Sequence, residues 1–138
     1  MLVATSLGAA AAMLAAERRG AEHLKSIEKA LLLHKKAAQM KNPEVDADYE
    51  FHLAVARGTM NRFFVETISS LQSSILSGMK LHWNLSLEVA MERMALTWAE
   101  HEVIFLAIRD QAPIKARDAM RTHLENVRQR ILKRATPL

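Results

Sequence analysis

The chain is 138 residues long, half of them hydrophobic and only 5% aromatic, with four glycines and three prolines. That length suits one domain spanning residues 1–138, and the scarcity of turn formers argues for helices over a β-sandwich or barrel. There is no cysteine, which excludes disulfides, thiolate metal sites and cysteine nucleophiles and is compatible with a reducing cytoplasm. The net charge of +4 is concentrated near the C-terminus, where Lys115, Arg117, Arg121, Arg128, Arg130, Lys133 and Arg134 face only Asp118 and Glu125. Such a helix can track phosphates, but a solvated face that complements the negative end of a helix is the plainer reading.

Six helices are expected in chain order. The first runs from about Val3 to Arg19 and stops at Gly20, with a Gly8-Ala9-Ala10-Ala11-Ala12 stretch that would let another helix approach closely. The apolar run from Leu2 to Ala16 is followed, not preceded, by positive charge at Arg18 and Arg19, which is the wrong order for a signal peptide. At about fifteen residues it is also short of the ~20 that span a bilayer, so no membrane contact is expected. The Ala-rich helix is a candidate surface for self-association. The second helix, about Ala21 to Met40, places Leu24, Ile27, Leu31 and Ala38 on one face and stops at Asn42-Pro43. The third runs from near Val45 to Gly58. Asn61 is a good N-cap for the fourth, whose apolar row is Phe64, Ile68, Leu71 and Ile75 and which Gly78 bends or ends. The fifth spans about Leu87 to Arg109, with Met91, Met94, Trp98, Phe105 and Ile108 in alternating steps of three and four and His101 in the middle slot. The sixth starts at Pro113, a favoured first helical position, and runs to about Lys133 with Ala116, Met120, Val127 and Ile131 as its stripe and His123 within it. No strand-like alternation or repeat is seen, and the fold expected is an all-α antiparallel bundle.

The chemistry is carried by histidines. Asp48 and His52 are four residues apart and share a helix face, so together they can present a carboxylate and an imidazole to one cation. Such a pair is common by chance. His101 and His123 add weight, because each fills a core-facing slot, and a buried imidazole without a partner costs ~1–3 kcal/mol. They lie twelve residues before and ten after Pro113, hence at similar heights, ~15–18 Å above the turn at 1.5 Å per residue. His34 also falls near an apolar face, His82 sits in an ambiguous segment around Trp83 and Asn84, and His23 looks solvent-facing. Spacing alone leaves His34 and His82 open as ligands.

At these residues the sequence resembles the FCD domain, the effector-binding domain of the FadR subgroup of GntR-type bacterial transcription regulators. The motif Asp-x-x-Phe-His is matched by Asp48-Tyr49-Glu50-Phe51-His52, with Asn61 nine residues on. His101-Glu102-Val103-Ile104-Phe105-Leu106-Ala107-Ile108 is similar to the family's His-x-x-Ile-x-x-Ala-Ile, and Ala116 through Leu124 to its closing Ala-x-x-x-Met-x-x-His-Leu segment. The resemblance implies a bundle around a central cavity and a divalent ion, zinc or nickel first and iron or manganese next, held by Asp48, His52, His101 and His123 rather than by His34 or His82. It implies a small organic acid as effector, a homodimer, and DNA contact only through a winged-helix domain that this chain does not contain, so that the chain is either a fragment of a regulator or a solitary sensor. Gln72, Ser73 and Ser74 are candidates for a polar cavity wall, with Ser74, Gln72, His82 and Asn61 as candidate effector contacts.

Two departures stand out. The family's Arg-x-x-x-Glu pair on the first helix falls here at Ala4 and Gly8, and the Asp that often opens the last helix falls at Ala112. Arginine-based anchoring of an effector from the first helix is therefore not expected. Neutral imidazoles are required for ligation, so metal affinity should drop as pH falls through about 6. Two other readings compete with the sensor. One is a metal hydrolase, against which stands the lack of a separate general base, since Glu50 and Glu102 point to other helix faces. The other is a purely structural or dimerising bundle with hydrogen-bonded core histidines.

Overall fold

The computed structural model describes residues 2–40, 45–71 and 87–135. Among them the secondary structure is helical only: α1 (Leu2–Arg18), α2 (Ala21–Gln39), α3 (Val45–Gly58), α4 (residues 62–71), α5 (Leu87–Arg109) and α6 (Pro113–Ala135). The expected boundaries hold closely, and the expected helical bundle is what forms. No helix among the described residues is long and apolar enough to cross a membrane.

α1 is the central element. It packs most extensively on α6 and also touches α3 and α5, while α2 packs on α3 and α5, and α5 on α6. A helix apolar on most of its circumference belongs inside a protein, and here Ala9, Ala11, Ala12, Ala15 and Ala16 are all at most 2% exposed. The close approach expected of this Ala-rich stretch is what forms: these side chains are used inside one chain, where small residues set short distances between helices. A Cβ built on Gly8 would lie 2.5 Å from Cδ1 of Leu124 in α6, and one on Gly58 would lie 3.2 Å from Cβ of Ala15. Around α1 the core is completed by Ile27, Phe51, Val55, Ile104, Ile108 and Met120.

The row on α2 is Ile27, Ala30, Leu31, His34 and Ala37; Ala37, rather than the expected Ala38, closes it, because the buried stripe advances by three rather than four from His34. Gly20 also differs from expectation. It is not a left-handed stop for α1 but the extended N-cap of α2 (φ −87°, ψ 178°), and its N–H donates to Nδ1 of His23 at 3.0 Å. His23, expected to face solvent, thus satisfies one of the free donors at a helix start.

Two turns are tied together across the bundle. α5 ends with Gln111 in the left-handed region (φ 51°), its N–H bonded to Ile108 O and that of Ala112 to Ala107 O, a helix stop normally given to glycine or asparagine. Arg19, just past α1, donates from Nη2 to Arg109 O (2.7 Å) and from Nε to Ile108 O (3.4 Å), placing a cation on the negative end of α5. Arg18 donates to Thr59 O in the α3–α4 turn.

These close approaches give a stability expectation. Ala15→Leu adds volume where α1 meets Gly58 on α3, and overpacking of this kind costs about 1–3 kcal/mol. Urea denaturation followed by helical circular dichroism should show a lower midpoint with a folded baseline; an unchanged midpoint would mean that α1 can slide away from α3 freely.

Candidate metal centre

α3, α5 and α6 each deliver side chains to one point. On α3 the four-residue spacing puts Asp48 and His52 on the same face, with His52 Nε2 3.3 Å from Asp48 Oδ1. α5 brings His101, whose Nε2 is 3.1 Å from the same oxygen. α6 brings His123, whose Nε2 is 3.1 Å from His101 Nε2. One ligand atom from each of the four lies within 4.8 Å of every other. The equal heights of His101 and His123 above the Pro113 turn are realised in that contact.

The cluster is buried: His52, His101 and His123 are 6%, 0% and 1% exposed. Ring contacts fix the imidazoles further. Phe51 stacks on His101 (centroids 4.0 Å apart, planes 10° apart), and the His52 and His123 rings lie nearly parallel.

Whether a cation fits can be judged from the donors themselves. Ligand atoms around a tetrahedral ion with bonds of ~2.0–2.1 Å are roughly 3.3 Å apart; three edges of the cluster are 3.1–3.3 Å, and all four ligand atoms lie within 4.8 Å of one another. Asp48 Oδ1 is shut off from solvent and has no hydrogen bond of acceptable geometry, although two imidazole nitrogens lie beside it. A single proton on His101 Nε2 can satisfy either Asp48 or His123, not both. A divalent ion would satisfy all of them, and the residues fit one.

The protonation states agree. Burial holds His101 well below the ordinary imidazole value, with Asp48 opposing only in part. Burial likewise lowers His123 and His34. For Asp48, burial pushes the carboxyl up, but the imidazoles of His52 and His101 outweigh it and hold it well below the usual carboxylate range. Neutral rings and an ionised carboxylate are the forms that ligate.

Sequence reasoning missed Glu100. Its Oε1 lies 2.7 Å from His123 Nδ1, while its Oε2 accepts from Asn126 Nδ2 at 2.8 Å and from Arg130. Burial raises the Glu100 carboxyl, yet the hydrogen bonds from His123, Arg130 and Asn126 bring it down to about 2. A carboxylate behind a ligating imidazole fixes its tautomer and ring orientation. The available signal was the spacing of His123, Asn126 and Arg130, three and four residues apart along one face of α6. Arg130, counted among the free basic residues of the C-terminal helix, is thus committed to the site. His34 is buried as well, its Nδ1 3.3 Å from His101 Nδ1, on the side of that ring away from the cluster.

The candidate effector contacts divide. Asn61 is exposed, and its Oδ1 accepts from Phe63 N at 3.0 Å as the N-cap of α4. Gln72, Ser73, Ser74 and His82 lie outside the described residues, as do Ile75 and Gly78. Beside His52 is a cavity whose described lining is otherwise apolar: Ala4, Gly8 and Ala11 of α1 face Val55, Ile68, Leu71, Met120 and Leu124. Its enclosed volume is about 40 Å³, and about 410 Å³ of empty space is counted with its solvent mouth. Ala4 and Gly8, the two positions noted above as departures, both line it.

This bundle with an Asp/His cluster at its centre has relatives. The chain matches the family model of the FCD domain over residues 3–126, and it belongs to that domain family, found in GntR-type regulators. It is 31% identical over 125 residues to the HTH-type transcriptional regulator LutR of Bacillus subtilis (strain 168), an alignment that covers 84% of this chain and 53% of LutR. The chain thus spans about half the length of that curated relative.

The buried histidines set a direction for stability against pH in the metal-free chain. His34, His101 and His123 have folded values below the ordinary 6.5, so as pH falls toward and below 6.5 the unfolded chain takes up protons that the folded chain refuses. Stability then declines. Glu100 acts in the same sense lower down: its contribution is intact above 4.5 and is lost as pH falls toward 2. Urea midpoints measured in chelator from about pH 8 to about pH 5 should decrease, most steeply below neutrality; a flat profile would contradict neutral buried rings.

Proposed function

We propose that this domain is a metal-dependent sensor of a small organic acid, working as the effector-binding half of a dimeric, cytoplasmic GntR-type transcription regulator. The observation that carries the reading is the convergence of Asp48, His52, His101 and His123 within 4.8 Å inside the bundle. A mixed imidazole and carboxylate set suits zinc or nickel, with iron and manganese also compatible. The bound ion would supply a positively charged Lewis-acid anchor for an anionic group.

The chain's own residues do the rest. Asp48 contributes the single anionic donor, Phe51 fixes the plane of His101, and Glu100 orients His123 while Arg130 and Asn126 hold Glu100. An effector lying against the cavity beside His52 would have to part α1, α3, α4 and α6, since the enclosed space there is about 40 Å³. Since those helices meet around it, an occupant would bias their packing, and an attached DNA-binding domain would read that bias through the dimer. A ligand shifts such an equilibrium only by its difference in affinity for the two arrangements.

Chain purified without chelator should carry about one divalent ion per molecule and melt at a higher temperature than the same chain after chelation, because binding to the folded state stabilises it by mass action. The His101→Ala/His123→Ala double variant should carry none and show no chelator effect. Equal, negligible metal in both proteins would remove the reading. For Glu100→Ala, loss of the partner behind His123 should weaken zinc binding about 10–100-fold, measured by competition with a chromophoric chelator; unaltered affinity would reduce Glu100 to a surface ion pair.

A further inference from the structure

A fourth histidine belongs to the centre without being one of its ligands. His34, on α2, is 1% exposed, and its Nδ1 is 3.3 Å from Nδ1 of His101, itself fully buried. We propose that His34 is the positioning residue for His101, its Nδ1 lone pair accepting a hydrogen bond from His101 Nδ1–H and so reserving His101 Nε2 for the metal. The inference rests on the metal-binding reading and assigns a role within it.

The argument is one of proton count. A neutral imidazole has one N–H and one lone pair. His101 Nε2 faces the cluster, 3.1 Å from both Asp48 Oδ1 and His123 Nε2, and to ligate it must offer its lone pair. The ring proton then sits on Nδ1. Two N–H groups cannot face each other at 3.3 Å, so His34 must present an unprotonated Nδ1 and carry its own proton on Nε2.

Remove that acceptor and the Nδ1 proton of His101 is buried with no partner, an unfavourable state. The competing tautomer, with the proton on Nε2 beside the Asp48 carboxylate, gains correspondingly, and it closes the ligand position. Phe51 stacked on His101 sets the plane of the ring but is blind to which nitrogen is protonated. That choice falls to His34. His123 has the same need met by an anion, Glu100; His101 has it met by a neutral ring.

The test compares zinc affinity, by chelator competition, in the native chain and in His34→Leu, His34→Gln and His34→Asn. Asparagine hangs its oxygen on Cγ, where histidine has Nδ1; glutamine carries its oxygen one bond farther out. Loss of an outer hydrogen bond to a ligating histidine typically costs 10–100-fold, so Leu and Gln should weaken zinc binding by about that factor and Asn should restore most of it. In the zinc-loaded native chain, two-bond nitrogen–proton correlations should show His101 protonated at Nδ1 and His34 at Nε2, a readout that simple packing would not produce. Circular dichroism identifies any variant that fails to fold, in which case the native tautomers and the Asn/Gln pair decide.

Zinc affinity in His34→Leu equal to native overturns the proposal. So does Asn behaving like Leu, or His34 protonated at Nδ1 in the loaded chain. In each case the metal reading survives. A native chain that takes up no zinc, nickel, iron or manganese overturns both.

Discussion

The structure depends on one constraint: three imidazoles and a carboxylate occupy a largely buried volume. Groups of this kind are not stable in an apolar interior unless each proton and each lone pair has somewhere to go. At the rim of the cluster those needs are met within the chain. His123 leans on Glu100, Glu100 on Asn126 and Arg130, and His101 on His34. At its centre they are not, and Asp48 Oδ1 is left without an aligned donor. A site satisfied at its edge and unsatisfied in the middle is one that a cation would complete.

The remaining architecture serves to bring three helices to that point. α1 is nearly all small residues on its buried side, so α3 and α6 approach it closely and through it each other. Its C-terminal end is fastened by Arg18 to a carbonyl of the turn after α3 and by Arg19 to the last carbonyls of α5. Those points are the roots of the ligand-bearing segments. The heights of His52, His101 and His123 are therefore set by fastenings at the opposite end of the helices, and small shifts of α1 would be felt at the cluster.

Much of this was legible in the sequence, for identifiable reasons. The helices were readable because their apolar rows are regular and their stops are chemically sharp, as at Pro113. Asp48 with His52 followed from helical spacing, and His101 opposite His123 from counting residues either side of one turn. Glu100 was not legible, because its meaning lies in a neighbour on another helix, and in isolation it is one acid among many on α5. His34 was readable as buried but not as to which atom it would face; that depends on the rotation of α2 against α5. Gly20 was read as a stop because glycine usually is one, whereas here His23 reaching back makes it the start of the next helix. The alanines of α1 were readable as a surface of close helix approach but not as to its partner, because composition alone does not say which of several small-residue contacts is internal.

The neutral ring behind His101 also fixes a charge balance. With a divalent cation in place, Asp48 removes one unit of its charge, the Glu100 carboxylate is cancelled by Arg130, and His34 subtracts nothing. One unit of positive charge is left in a buried interior beside a cavity whose described walls carry none of their own. Such an imbalance is electrostatically costly until it is matched, and a monoanion matches it where a dianion would overshoot. The centre would thus weigh valence before shape, favouring a molecule that enters with a single ionised group and an otherwise uncharged body.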